Sequence, residues 1–543
     1  MRADLNLGVT PAIHVKGANM LPALGHSTVT ANHPSQSAAR DTPTPSLYDP
    51  PSDLTPGRVN RRKHTLHVDG DIKISRLIDW DATDPLSPRV AQNRLLVETG
   101  DNADYVHVRS LPDGRMQISV NGKPYYFDTA DHPDFEQTLW IKTNGGDDKV
   151  IVDDEIKLAL DVEGGDGKDF IQAGGGRTRL YGGRGADTLK LGSGLGYAEG
   201  NDGNDKITGG TGNAVMYGNN GRDELDAGSG PATKQSYLDG GNGKDLLKGG
   251  SGHSVLHGGN DNDRLVGGDR TTFYTGKGIN RILNNKPDDL IYAGANDKFN
   301  RKLGSTVTEV KPSSAGEQAF TVLGDRDFRQ RVSDDLEFLR SSPIGQQALA
   351  TLDELALLNG GKIAILPKSA GAQGYQFGSS ALGDLPPEDE GDEVDVEEEE
   401  GPEDNPAHGT LIDGVPGARA DRAKLFFDRH SVLETADRTN TIVPVTTFFH
   451  EIAHGYNGAT GTFLAGTTEE RLASGEVEAV PNEEYQAIGL PSNAEPFDLD
   501  NNPSTPPTTV NPKPFTENAL NQEMGKPLRK SKNMQFSEQG IGE

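Results

Sequence analysis

A glycine-rich octet returns through the middle of this chain at a countable interval. Gly164-Gly165-Asp166-Gly167-Lys168-Asp169-Phe170-Ile171 recurs from Gly182 to Leu189, Gly200 to Ile207, Gly218 to Leu225, Gly240 to Leu247 and Gly258 to Leu265. The starts lie 18 residues apart, except for one step of 22 that holds Pro231-Ala232-Thr233-Lys234. Glycine-rich turns also fall midway, at Gly174-Gly175-Gly176, Gly192-Ser193-Gly194, Gly209-Gly210-Thr211-Gly212 and Gly249-Gly250-Ser251-Gly252, so the unit is nine residues. A glycine turn plus a short strand, stacked on its neighbours, gives a parallel β-roll. Glycine supplies positive φ at the turns, and the apolar residue of each strand fills the interior. Consecutive units turn on opposite edges.

The sixth position of the unit is aspartate only in alternate copies: Asp169, Asp187, Asp205, Asp223, Asp245 and Asp263. Arg179, Gly196, Ala214 and Ser254 stand there in the intervening ones. The carboxylates therefore fall on one edge, where they repel unless a cation lies between them. Calcium accepts six to eight oxygens in flexible geometry, and turn carbonyls with aspartates provide them. The expectation is one row of roughly five calcium sites, with the opposite edge free of metal. At the third position Asp166 and Asp202 extend the ligand set, while Arg184, Asn220, Asn242 and Asn260 interrupt it. The alternative is a solenoid closed by hydrogen bonds alone. The pattern resembles the RTX calcium-binding repeat.

Composition limits the remainder. Only 33% of the 543 residues are hydrophobic and 68 are glycine, so parts of the chain bury no ordinary core. With no cysteine there are neither disulfides nor thiolate ligands. A net charge of −29 argues against nucleic acid or an anionic membrane as partner. No apolar run reaches the length of a membrane span. In order, the reading is a disordered leader over 1–62, a candidate secretion signal, rich in Ser, Thr and Pro; a β-rich cap over 63–143, with a hairpin turn at Asn121-Gly122; the roll over 144–298; a linker over 299–324; and a further domain over 325–384 and 405–537. Residues 385–404 hold twelve acidic side chains and no Lys or Arg, and read as a disordered insertion. Helical spacing covers 325–357 with a break at Ser341-Ser342-Pro343. Lys362 to Leu366 reads as a strand, and Leu425-Phe426-Phe427-Asp428 as an edge strand beside the next element.

That element is His450-Glu451-Ile452-Ala453-His454, preceded by the apolar run Val443 to Phe449 and followed by Gly455 and Gly458. It predicts one short helix with a glycine-rich exit. Residues four apart share a helix face, so the two imidazoles fit two corners of a tetrahedral zinc site. Glu451, on the rim of that face, is placed to take a proton from a zinc-bound water, as metal-assisted peptide hydrolysis requires. No histidine follows His454, so the third ligand is a carboxylate. Glu469, Glu470, Glu476, Glu478, Glu483 and Glu484 are within reach by sequence, the last two on a short helix that Pro481 opens and Gly489 closes.

Over 325–535 the chain resembles the NleD-like effector metallopeptidases, which bacteria inject into host cells. The likeness rests on His450 to His454, on Glu484 to Leu490, and on Phe515-Thr516-Glu517-Asn518 leading to Gly525-Lys526-Pro527-Leu528-Arg529. Clostridial neurotoxin light chains show a similar glutamate five residues before a glycine. The resemblance implies Glu484 as third zinc ligand, with Glu483 as the fallback. It implies Arg529 as the oxyanion-stabilising arginine. Relatives pair that arginine with a tyrosine three residues on, where this chain has Lys532. The expected architecture is multidomain: a parallel β-roll or solenoid followed by an α+β zincin-type metalloprotease domain. The expected function is that of a secreted, monomeric zinc endopeptidase delivered into a host cell by type III secretion, where it cuts a host protein such as a signalling kinase. A calcium-stabilised adhesion or scaffold protein with an inactive protease-like segment is the second reading. A type I-exported RTX protease is the third, disfavoured because the repeats precede the catalytic stretch.

Overall fold

In the computed structural model the residues described are 46–533, apart from 58, 85, 129–136, 369–373, 383–404, 436–438 and 473. The acidic insertion over 385–404 lies outside them, as does most of the leader over 1–62.

The repeats build a two-faced solenoid. On one face the strands Gln137–Lys142, Ala159–Asp166, Thr178–Arg184, Gly196–Gly203, Ala214–Gly221, Gln235–Asp239, His253–His257, Arg270–Tyr274, Leu290–Ala293 and Thr306–Glu309 pair in parallel. On the other, three-residue strands stack so that Ile171, Leu189, Ile207, Leu225, Leu247, Leu265 and Ile282 lie in register. These face Leu180, Ala198, Met216, Leu238, Leu256, Phe273 and Ile291, and the two rows form a closed apolar core. One large side chain per strand suffices because the two faces are one residue layer apart. The long step at Pro231 to Lys234 leaves the stacking intact. Its Lys234 ammonium, buried, donates to the carbonyls of Gly210 at 2.5 Å and Ala227 at 2.6 Å.

The N-terminal strands continue both faces. Val59–Asp69, Ile72–Asp81 and Arg89–Glu98 run antiparallel, and the last pairs in parallel with Gln137–Lys142. Tyr105–Ser110, Arg115–Val120 and Lys123–Asp128 extend the second face, turning at Asn121 (φ 51°) and Gly122 (φ 81°).

The segment over 299–324, expected to be a linker, carries two strands. Thr306–Glu309 closes the solenoid face, and Phe320–Val322 opens a four-stranded sheet in the order Phe320–Val322, Ile363–Pro367, Lys424–Phe427, Tyr375–Gln376. Lys424–Phe427 is therefore interior rather than the edge strand its sequence suggests. The short antiparallel Tyr375–Gln376 takes the edge, and two residues give no periodic signal. Helices α1 (Arg326–Ser341) and α2 (Pro343–Asn359) meet at Ser342, whose hydroxyl caps α2 by accepting from Gly345 N at 2.9 Å.

The solenoid and the C-terminal region are not separate bodies. Tyr197, Val215, Tyr217, Tyr237, Val255 and Tyr274, outward-facing on the first solenoid face, share one core with Phe328, Val332 and Phe338 of α1. The seam also buries charge: the Arg331 guanidinium lies 3.3 Å over the Tyr217 ring and 2.9 Å from Asp335. A multidomain reading follows from the change of composition near Ala293. It misses the seam because tyrosines on the outside of a strand look solvent-facing until a helix covers them.

Candidate metal centres

Two groups of carboxylates stand out, and each has a distinct geometry. The first runs along one edge of the solenoid. Asp169, Asp187, Asp205, Asp223, Asp245 and Asp263 are all buried. One oxygen of each accepts from the main chain of the preceding turn, as in Asp169 N to Asp187 Oδ1 at 2.8 Å and Asp187 N to Asp205 Oδ1 at 2.7 Å. The other oxygen has no partner in any of the six. Asp148, one turn earlier, has the same arrangement and was not singled out by its sequence, because Thr143 and Asn144 stand where the first two glycines of the octet would be. The free oxygens point into a recurring cradle. A Cβ at Gly182 would come within 2.4 Å of Asp187 Oδ2 and 2.8 Å of the Gly200 carbonyl, and Gly164, Gly200, Gly218, Gly240 and Gly258 repeat this. Only glycine leaves that space open, and what borders it is oxygen, which is the donor set calcium takes. Burial pushes the carboxyls of Asp187, Asp205, Asp223 and Asp245 up to about 7 and that of Asp263 to about 9.

The structure separates Asp166 and Asp202 from this row. Asp166 is exposed, 3.7 Å from Arg184, and Asp202 pairs with Arg326 at 2.6 Å and accepts from Asn220 at 3.0 Å. Asn242 donates to Asn220 and Asn260 to Asn242, so the third positions form an amide ladder on the outer surface. Their spacing equals that of the sixth positions, and sequence alone does not tell the two rows apart.

The second group is built on α3 (Pro444–Thr460), which starts at a proline in its first turn and ends at Gly461 (φ 73°). The helix runs through Gly455 and Gly458 rather than ending there. Gly458 is a packing residue: a Cβ on it would lie 2.0 Å from the Tyr375 hydroxyl of the edge strand. The imidazoles of His450 and His454 face each other with Nε2 atoms 3.1 Å apart. Helix α4 (Asn482–Ile488) brings Glu484 to them, with Oε2 3.2 Å from His450 Nε2 and Oε1 3.9 Å from His454 Nε2. These ligand atoms all lie within 4.8 Å of one another, and among the described residues they make the one such group. A tetrahedral site with bonds near 2.05 Å has edges of about 3.3 Å, so a nitrogen–nitrogen–oxygen set at these separations fits a zinc-sized ion.

The other carboxylates in sequence range are elsewhere. Glu469, Glu476 and Glu478 are exposed on the hairpin Thr467–Arg471 and Val477–Pro481. Glu470 accepts from Tyr485 and from two main-chain N–H groups, and Glu483 lies on α4 outside the converging group.

Around the three ligands the environment is strongly charged. Burial drives Glu451 up to about 7, and the His450 and Lys532 cations oppose it. Burial drives His454 down to about 3. Burial acts in the same sense on His450, but the carboxylates of Glu484 and Glu517 outweigh it and hold the imidazole up at about 10.

Glu517 is a neighbour of the group that the histidine spacing does not reveal. It opens α5 (Glu517–Glu523), is 1% exposed, and sits with Oε2 3.3 Å from His450 Nδ1. The contact is an ion pair rather than an aligned hydrogen bond. A carboxylate behind a ligating imidazole fixes its ring and tautomer. Arg529, expected at an oxyanion, stands behind Glu517 instead: Nη1 is 2.8 Å from Glu517 Oε2, while Nε and Nη2 donate to the carbonyls of Ser531 and Lys532. The histidine spacing does not reach Glu517 or Arg529; the resemblance singled out Arg529, and the fold sets it behind Glu517.

Residues 316–531, about two-fifths of the chain, match the family Peptidase_M91, described as an effector protein. Residues 162–195, 199–231 and 239–269 match the RTX calcium-binding nonapeptide repeat. No curated protein and no solved structure matches the chain. The likenesses support a secreted effector with a peptidase region and calcium-binding repeats. No helix among the described residues is long and apolar enough to cross a membrane.

Proposed function

We propose that this chain is a zinc endopeptidase of the NleD-like, zincin type, secreted and delivered into a host cell, where it cuts a host protein. The reading rests on one observation above the rest: His450, His454 and Glu484 converge from two helices, with Glu451 beside them and Glu517 behind His450. Zinc, when bound, supplies the Lewis acidity that makes water a nucleophile at neutral pH. His450, His454 and Glu484 hold the ion. Glu451 receives the proton of the attacking water and passes it to the leaving amine, a task suited to a carboxyl that burial pushes up to about 7. Glu517, with Arg529 behind it, keeps His450 oriented. The cradle aspartates Asp169, Asp187, Asp205, Asp223, Asp245 and Asp263 bind calcium in a row, with Asp148 extending it by one turn.

The resemblance to effector peptidases favours a signalling kinase as the host substrate. The test is metal analysis and proteolysis of a host-cell lysate with wild type and Glu451→Gln. The expected result is one zinc per chain in both and cleavage in wild type alone. Equal silence of both proteins in the lysate would favour the scaffold reading.

A further inference from the structure

The two faces of the solenoid differ in what covers them. The tyrosines of the first share a core with α1, whereas no outward side chain of the second belongs to either apolar core. On the second face the residues before and after each core residue point outward. Its strands are parallel and in unbroken register, so like positions of successive turns stand side by side, about 4.8 Å apart. In three successive turns one such position holds Arg264, Arg281 and Lys298. All three are exposed. Among the described residues none of them has an ion pair or hydrogen bond through its side chain. Like charges placed opposite one another on neighbouring strands destabilise a sheet. The row therefore works against the fold unless something outside the chain neutralises it.

The rest of the face has the same sign. Its two outward columns also carry Lys149, Lys190, Lys206 and Lys248, and their only carboxylates are Glu224 and Asp226. Glu224 is already paired, with Lys248 at 2.5 Å and Lys206 at 3.7 Å. The chain as a whole carries −29. Salt screens charge over about 8 Å at physiological ionic strength, so a surface laid on this face meets its cations and not the carboxylates elsewhere. Half-buried Leu246, Val266 and Leu283 lie among those cations, in the same columns. A straight stack of short strands is flat, and a bilayer offers a flat partner with anionic headgroups above an apolar layer. A nucleic acid would offer the phosphates without that layer.

We propose that the second solenoid face lies on an anionic phospholipid bilayer, with Arg264, Arg281 and Lys298 against the headgroups and Leu246, Val266 and Leu283 against the interface below them. The C-terminal region, packed on the opposite face, is then held away from the membrane. Neither the peptidase chemistry nor the zinc site enters into this contact.

The full chain is tested by sedimentation with vesicles of phosphatidylcholine alone and with vesicles that also contain phosphatidylserine. Wild type is expected to sediment with the second kind only. The triple variant Arg264→Gln, Arg281→Gln, Lys298→Gln is expected to bind about 100-fold more weakly. A control with the same change of net charge, Arg329→Gln, Lys362→Gln, Arg419→Gln, alters exposed cations of the C-terminal region and is expected to bind within about twofold of wild type. The melting temperature of the first triple variant is expected to hold or rise, because charges that repel one another are gone. A clear fall would make the row structural and overturn the proposal. So would equal sedimentation with both kinds of vesicle, or with neither. Equal losses in the two triple variants overturn it as well, since net charge rather than this face would then govern binding. Retention on single-stranded RNA by a wild type that ignores vesicles makes the partner a nucleic acid and overturns the bilayer.

Discussion

The solenoid edge and the imidazole centre both gather carboxylates, and they arrange them in opposite ways. Along the solenoid the arrangement is repetition. Each aspartate gives one oxygen to a main-chain N–H of the neighbouring turn and leaves the other free beside a glycine carbonyl. At α3 it is convergence: Glu484 and Glu517 come from distant segments to opposite sides of a single imidazole. A row tolerates the loss of a member, because each cradle is defined by its own turn and the next. A convergent site does not, because each ligand is present once.

The largest expected effect follows from that difference. His454→Ala is expected to abolish zinc binding and to reduce cleavage by roughly 10³-fold or more. Asp205→Asn is expected to remove about one or two calcium ions and to lower the melting temperature by a few degrees at most. Metal analysis and thermal melts of the two variants decide the matter. Loss of all calcium from Asp205→Asn would mean that the row acts as one unit, and the contrast drawn here would fail.

Next in size is the pH response of the solenoid. Without calcium, burial holds the carboxyls of Asp187, Asp205, Asp223 and Asp245 at about 7, above their ordinary value of 3.8. The folded metal-free solenoid therefore keeps protons that the unfolded chain releases. Its stability from these groups is full below about pH 4 and is lost as the pH rises through about 7. Calcium requires the ionised form, so its affinity rises with pH across the same window. Melting temperatures at pH 5 and pH 8, with chelator and with calcium, are expected to move in opposite directions. Parallel slopes would indicate a solenoid closed by hydrogen bonds alone.

The centre offers a smaller and more local test. Glu517→Gln keeps the shape but removes the charge behind His450. Zinc affinity is expected to fall by about 10-fold to 100-fold, while calcium binding stays unchanged. An unchanged zinc affinity would mean that Glu517 serves Arg529 rather than the metal site.

How far each region was legible follows from the same contrast. The solenoid could be read because its determinants repeat in register: Ile171, Leu189 and Ile207 fill its core at the same interval that brings round Asp169, Asp187 and Asp205. The histidine pair could be read because helix geometry fixes its spacing, while Glu484 was one of six carboxylates in sequence range and was preferred only on the resemblance. Glu517 had no such rule, and Arg529 was reached only through the resemblance, since their place depends on how α5 and the tail fold back on α3. The same holds for the seam between the regions. Tyr217 and Tyr237 read as ordinary strand residues until α1 covers them.

The finest test concerns whether that seam makes the two regions one folding unit. Helix α5 spans the gap between them. At its start Glu517 faces His450, and at its end Glu523 accepts from the Tyr274 hydroxyl of the solenoid at 3.1 Å and from Ile344 N of α2 at 2.9 Å. Tyr292 and Thr272 add hydroxyl donors to the carbonyls of Glu523 and Met524. Tyr274→Phe removes one donor from a buried carboxylate without changing volume, which is expected to destabilise the chain by about 1–2 kcal/mol. Because the apolar seam remains, denaturant unfolding should keep a single transition at a lower midpoint, with zinc affinity nearly unaltered. Two separated transitions in this variant would show that the regions fold independently and that a hydroxyl, rather than the shared core, had joined them. A single transition with sharply weaker zinc binding would show that the solenoid steadies His450 through α5.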